Sequence, residues 1–112
     1  MVRALAILLA HLMAAPVVSE TVEIRGRGEV DLASFECRDI NRSTILQRVC
    51  YDRTQKDLIV AVRGSYDRYC AVPGNVVERL MGAPSMGQFF SHHISRPASG
   101  ERYACPPQGP GR

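Results

Sequence analysis

No two cysteines of this 112-residue chain stand in a C-x-x-C pair. That spacing underlies thioredoxin-type redox sites, zinc knuckles and covalent haem attachment, so its absence argues against all three. No run of like charge is long enough to form a binding tail, and the net charge is only +3. A polyanion or an anionic membrane therefore finds no strong electrostatic footprint. No apolar run reaches the ~20 residues of a comfortable membrane span. The chain also lacks a Gly-rich phosphate loop, a carboxylate pair, a nucleophile–base arrangement and internal repeats. An enzyme is not expected on this reading, and neither is a cofactor or a metal.

What is present begins with "MVRALAILLAHLMAAPVVSE". Arg3 is a short positive region, Ala4 to Ala15 is apolar apart from His11, and Val17 and Ser19 are small or β-branched. This is the layout of a secretory signal peptide over residues 1–19, cut after Ser19, with Ala14 as the alternative. The expected location is therefore the periplasm or the medium, with no stable membrane insertion once the signal is removed. Cys37, Cys50, Cys70 and Cys105 fit that compartment, because an even cysteine count in a small exported chain signals a disulfide framework.

Residues 20–34, "ETVEIRGRGEVDLAS", are read as an N-terminal lead-in, either an edge strand or flexible, with "RGRG" as a turn. Residues 35–105 form the folded domain. Residues 106–112, rich in proline and glycine, are expected as a disordered tail. Within the domain, "ILQRVCYD" and "DLIVAVRG" are two apolar, β-branched runs that read as a hairpin closed by "RTQK". Gly64–Ser65 makes the next turn and "YDRYCAV" a third strand. Pro73 suits the first turn of a helix, "GNVVERLM", and Gly82 stops it. Ser85 caps a second helix whose Met86, Phe90 and Ile94 form an apolar stripe. The expected fold class is α+β: a three-stranded antiparallel β-meander followed by two short helices packed on one face.

Three pairings of four cysteines are conceivable. The first and third strands of a meander lie about 9.6 Å apart, beyond the ~7 Å that a disulfide allows between Cα atoms, so Cys50 and Cys70 should not pair. Cys37–Cys50 with Cys70–Cys105 is the expected connectivity, because the first pair closes a short local loop. Cys37–Cys70 with Cys50–Cys105 stays open.

The stretch "RSTI", "VCYD", "DLIV", Gly64, the tyrosine-rich strand with Val72–Pro73, and "APSMGQFFSHHI" resembles, in order and spacing, the KTSC domain over roughly residues 40–95. That family is named for its occurrence at the C-terminus of some lysyl-tRNA synthetases. The frame "FEC…VCYD…RYC…YAC" resembles an exported four-cysteine bacterial subgroup. The resemblance implies RNA binding through a Y-x-Y pattern in the third strand, and no established activity.

Arg63, Tyr66, Arg68 and Tyr69 are the candidate binding residues on that basis. The residues themselves read differently. Asp67 stands where the pattern has a tyrosine, and strand alternation sends Tyr66 and Tyr69 to opposite faces. The competing reading is a structural handover from sheet to helix. In it Tyr69 packs under the helices, Cys70 ties down the C-terminal segment, and Arg63 and Arg68 are solvated. Replacing Arg68 on an exposed edge should then change stability by less than ~0.5 kcal/mol. His92 and His93, adjacent on a helix, diverge by about 100° and do not suit one metal ion. The function expected is an exported, disulfide-stabilised interaction module. Its partner is unspecified, with a cell-envelope protein as the class considered and nucleic acid as the alternative.

Overall fold

The computed structural model describes residues 20–96 and 102–106. Strands β1 (Thr21–Ile24), β2 (Gly28–Asp31), β3 (Glu36–Asp39), β4 (Leu46–Asp52), β5 (Asp57–Val62) and β6 (Ser65–Tyr69) precede helix α1 (Gly74–Gly82) and helix α2 (Met86–Phe89). A π-helical segment, Phe90–Ser95, continues α2. The strands form one six-stranded sheet in the order β2-β1-β6-β5-β4-β3. The fold is α+β, but a three-stranded meander does not describe it. The expected meander is the central β4-β5-β6, and the sheet gains strands at both edges. The additions are four residues long each, too short to carry a strong alternation signal. They are stable only because they pair with the longer strands.

The hairpin β4–β5 is closed by Asp52, whose backbone carbonyl accepts from the Lys56 amide (2.7 Å). Its carboxylate accepts from the Thr54 and Gln55 amides (2.9 and 3.1 Å) and from the Ser34 hydroxyl (2.7 Å). Those bonds, Ser34 first, hold the Asp52 carboxyl below its ordinary value of 3.8. The folded state therefore keeps a charge that the unfolded chain loses first as pH falls. The resulting stabilisation is complete above the unfolded value and fades as pH drops through the lower folded one. Urea midpoints measured down the acid limb should fall less steeply in Asp52→Asn than in the wild type.

The β5–β6 turn falls at Arg63–Gly64, one residue earlier than the sequence suggested. Both residues have positive φ, 51° and 85°, which is the twist that suits a two-residue hairpin. Pro73 then caps α1, its carbonyl accepting from Val76 and Val77 (3.1 and 3.3 Å). Ser85 caps α2, its hydroxyl accepting from the Gln88 amide at 3.4 Å. Gly87 lets α2 approach the segment that leads into β4: a Cβ there would meet Ile45 Cδ1 at 3.1 Å.

Two apolar clusters sandwich the sheet. On one face Val49, Tyr51, Leu58 and Val60 pack against Val77 and Leu80 of α1 and against Met86, Phe90 and Ile94. The helices thus share one face, and the four-residue stripe is buried. On the other face Cys50 and Ile59 are covered by Val22, Ile24 and Leu32. The residues read as a lead-in therefore form the β1–β2 hairpin, which meets β6 in parallel at a single position, Ile24 opposite Tyr66. The disulfides are Cys37–Cys50 and Cys70–Cys105. The expected signal segment, residues 1–19, lies outside the described residues. So does the expected tail beyond Pro106. Among the described residues no helix is long and apolar enough to cross a membrane.

Candidate functional site

β6 carries three of the four residues singled out from the sequence, and it does not bring them together. Tyr66, opposite Ala61, lies with the cluster under the β1–β2 hairpin, whereas Tyr69, opposite Leu58, lies with the cluster under the helices. The Tyr66 hydroxyl accepts from Arg48 (3.3 Å), and the Arg48 guanidinium grips the Glu20 carboxylate with two bonds of 2.6 and 2.8 Å. The same contact lowers the Glu20 carboxyl pKa. Tyr69 meets Phe90 edge to face at 5.6 Å, and burial pushes its phenol upward. Arg63 stands apart in the exposed turn.

Arg68 corrects an expectation. β1 and the segment around Tyr103 flank β6, so β6 is not an exposed edge. The Arg68 side chain is 24% exposed and pairs with Asp57, itself 11% exposed. Its Nε is buried without a partner. Breaking a half-buried pair strands the remaining charge. Discounted for its partial exposure, Arg68→Ala should cost about 1–2 kcal/mol in chemical denaturation, not the small effect of a solvated residue.

A hollow of about 420 Å³ opens beside β6, rimmed by Arg25, Arg27 and Arg68. Its cations are committed internally. Arg25 pairs with Asp67 at 3.0 Å, Arg27 donates to the Cys105 and Pro106 carbonyls (2.8 and 3.0 Å), and Arg68 holds Asp57. Two of the three cations are thus paired with carboxylates, while Arg27, bonded only to backbone carbonyls, keeps its full charge.

A smaller slot, about 220 Å³, lies between β3–β4 and α1. Val49, Tyr51, Val77 and Met81 make apolar walls, and Gly74 leaves room at one end. The Tyr51 hydroxyl donates to the Val72 carbonyl at 2.6 Å, which locks the ring in place. Burial raises the phenol pKa. Glu36, Arg38, Arg53 and Glu78 form a rim of mixed sign, with Glu36 and Arg53 paired at 3.3 Å. Strand alternation puts Val49 and Tyr51 on one face, but the slot was not legible in the sequence. Its outer wall is β3, which the pattern did not announce. The paired cysteines opposite each other were the available signal. Among the described residues no group of three His, Cys, Asp or Glu side chains could hold a metal. His92 and His93 are exposed, and the His93 ring lies 4.5 Å from that of Phe89.

The central strands and both helices correspond to a known unit. Residues 42–97, half of the chain, match the KTSC domain. The chain belongs to the KTSC domain family. A solved KTSC domain protein from Yersinia pestis shares the fold with a TM-score of 0.55 and 22% identity. The alignment covers 67% of this chain and 99% of that one. No curated protein matches the chain. The KTSC match begins after β3 and ends before Tyr103. Each disulfide therefore joins a cysteine inside the family segment, Cys50 or Cys70, to one outside it, Cys37 or Cys105. The bridges fasten the flanking segments onto the KTSC unit.

Proposed function

We propose that this KTSC domain is an exported, non-enzymatic interaction module that takes an apolar side chain of an envelope protein partner into the slot between α1 and β3–β4. The observation that carries this reading is the slot itself. It is concave and apolar within, is edged by charges of both signs, and is of a size for a single large side chain. The signal-like leader and the paired cysteines support an oxidising compartment.

The test is selection of displayed random peptides against the oxidised protein. Selected peptides should share one large apolar anchor, and Met81→Lys, which sets a charge in the wall, should abolish their binding while the fold persists. Selection without a common anchor, or binding indifferent to Met81→Lys, would refute the slot.

The nucleic-acid alternative implied by family membership is weighed in the same assay format. A single-stranded RNA oligomer should bind feebly, and its binding should collapse as salt rises. Tight binding in physiological salt, lost in Tyr66→Ala or Tyr69→Ala with folding intact, would favour the alternative over the slot.

A further inference from the structure

β3 ends the sheet. The Ile40 amide donates to the Gln47 carbonyl on β4, so the backbone groups of residues 40, 38 and 36 point inward, and strand alternation turns those of Cys37 and Asp39 outward. Cys37 sits directly opposite Cys50 with Cα atoms 4.0 Å apart, the close spacing of a pair that shares no ladder hydrogen bonds. Its own N–H and C=O therefore face away from the sheet. Among the described residues, no hydrogen-bond partner is found for these outward groups of Cys37 and Asp39. An edge of this kind is a site for strand addition.

The charges on the edge are arranged in one particular way. Glu36 and Arg38 flank Cys37, and both are exposed on the helix-side face. Charged edges usually deter pairing, but this one is self-complementary. The geometry points to a second copy of this chain as the occupant, added antiparallel to β3 about a two-fold axis at Cys37. That register sets Glu36 against the partner's Arg38 and Arg38 against the partner's Glu36. It lets the two Cys37 residues exchange both backbone hydrogen bonds. Centring the axis on Arg38 would oppose two arginines, and centring it on Asp39 would oppose two carboxylates, so charge selects the register.

The axis stands perpendicular to the sheet. Both helix layers then lie on the same side of one continuous sheet, with the two slots on either side of the axis. β3 lies outside the residues matched by the KTSC family, so the pairing belongs to this chain's added strand. It does not depend on what the slot binds. A four-residue edge supports a weak, reversible dimer.

Sedimentation velocity of the oxidised protein over a concentration series tests this. The wild type should show a monomer–dimer equilibrium that weakens with salt. Glu36→Arg and Arg38→Glu each oppose like charges and should weaken self-association by about tenfold or more. Mixing the two variants should restore dimerisation, because the helix-side face of the edge, made basic by the first, then meets the same face made acidic by the second. Met81→Lys should leave the equilibrium unchanged, which separates this edge from the slot. In hydrogen exchange, the Cys37 and Asp39 amides should slow as concentration rises. A wild type that stays monomeric at the highest soluble concentration would overturn the proposal. So would a dimer indifferent to both charge reversals, or one lost in Met81→Lys.

Discussion

Replacing Cys70 and Cys105 together by alanine should lower the stability of the oxidised protein by about 4 kcal/mol. That figure is the chain-entropy value for a loop of this length, here a separation of 35 residues. The structure gives a second reason for a large effect. The bridge holds a strap whose Tyr103 is 6% exposed within the helix-side core and whose Tyr103 carbonyl accepts from the Cys70 amide at 2.8 Å. Arg27 adds its bonds to the Cys105 and Pro106 carbonyls. Without the bridge, the strap can leave and expose the Tyr103 site. Against a total of about 5–15 kcal/mol for a domain, the loss should appear as a much lower urea midpoint and early protease cutting near residue 102. The bridge removed by the double variant Cys37→Ala/Cys50→Ala closes a shorter separation, 13 residues, so that variant should lose less, about 3 kcal/mol. Equal or reversed losses would mean that the strap is not held as described.

Tyr69→Ala should cost about 3 kcal/mol. The ring packs against the helix-side core and contacts Phe90 edge to face, so truncation removes a large apolar body at the point where sheet and helices meet. Tyr69→Phe keeps that body and should recover most of the loss. Thermal unfolding of the pair separates ring packing from the hydroxyl. A melting temperature unchanged in Tyr69→Ala would remove the structural role and return the ring to the set of candidate ligand contacts. The handover reading of "RGSYDRYCAVPGNV" rests on this result together with that for Arg68. The structure already alters one part of it: Arg68 is a partner of Asp57 inside the sheet's hairpin-covered face, not a solvated residue.

Much of the central architecture was readable from residue order because local physics dictates it. The apolar, β-branched runs of β4 and β5, Pro73 at the start of α1, Ser85 at the start of α2 and the Met86–Phe90–Ile94 stripe each depend on neighbours within a few residues. The opposite facing of Tyr66 and Tyr69 follows from strand alternation, since an odd separation within a regular strand changes face. The KTSC elements were legible for the same reason, as a fixed sequence of local units.

What only the tertiary structure decided concerns residues whose partners are remote. β1, β2 and β3 are short, and their identity as strands comes from Ile24 meeting Tyr66, from Glu20 meeting Arg48 and from Cys37 meeting Cys50. The fate of Arg68 depends on Asp57 and on the flanking chain. The slot needs β3 and α1 at once. Loop length and strand spacing already favoured Cys37–Cys50 with Cys70–Cys105, and the fold closed the one alternative left open, Cys37–Cys70 with Cys50–Cys105. A sequence records the preferences of each segment for its own conformation. It records contacts between distant segments only through the free energy of the assembled fold, so the sheet's edges and the surfaces they create emerge when the chain is folded.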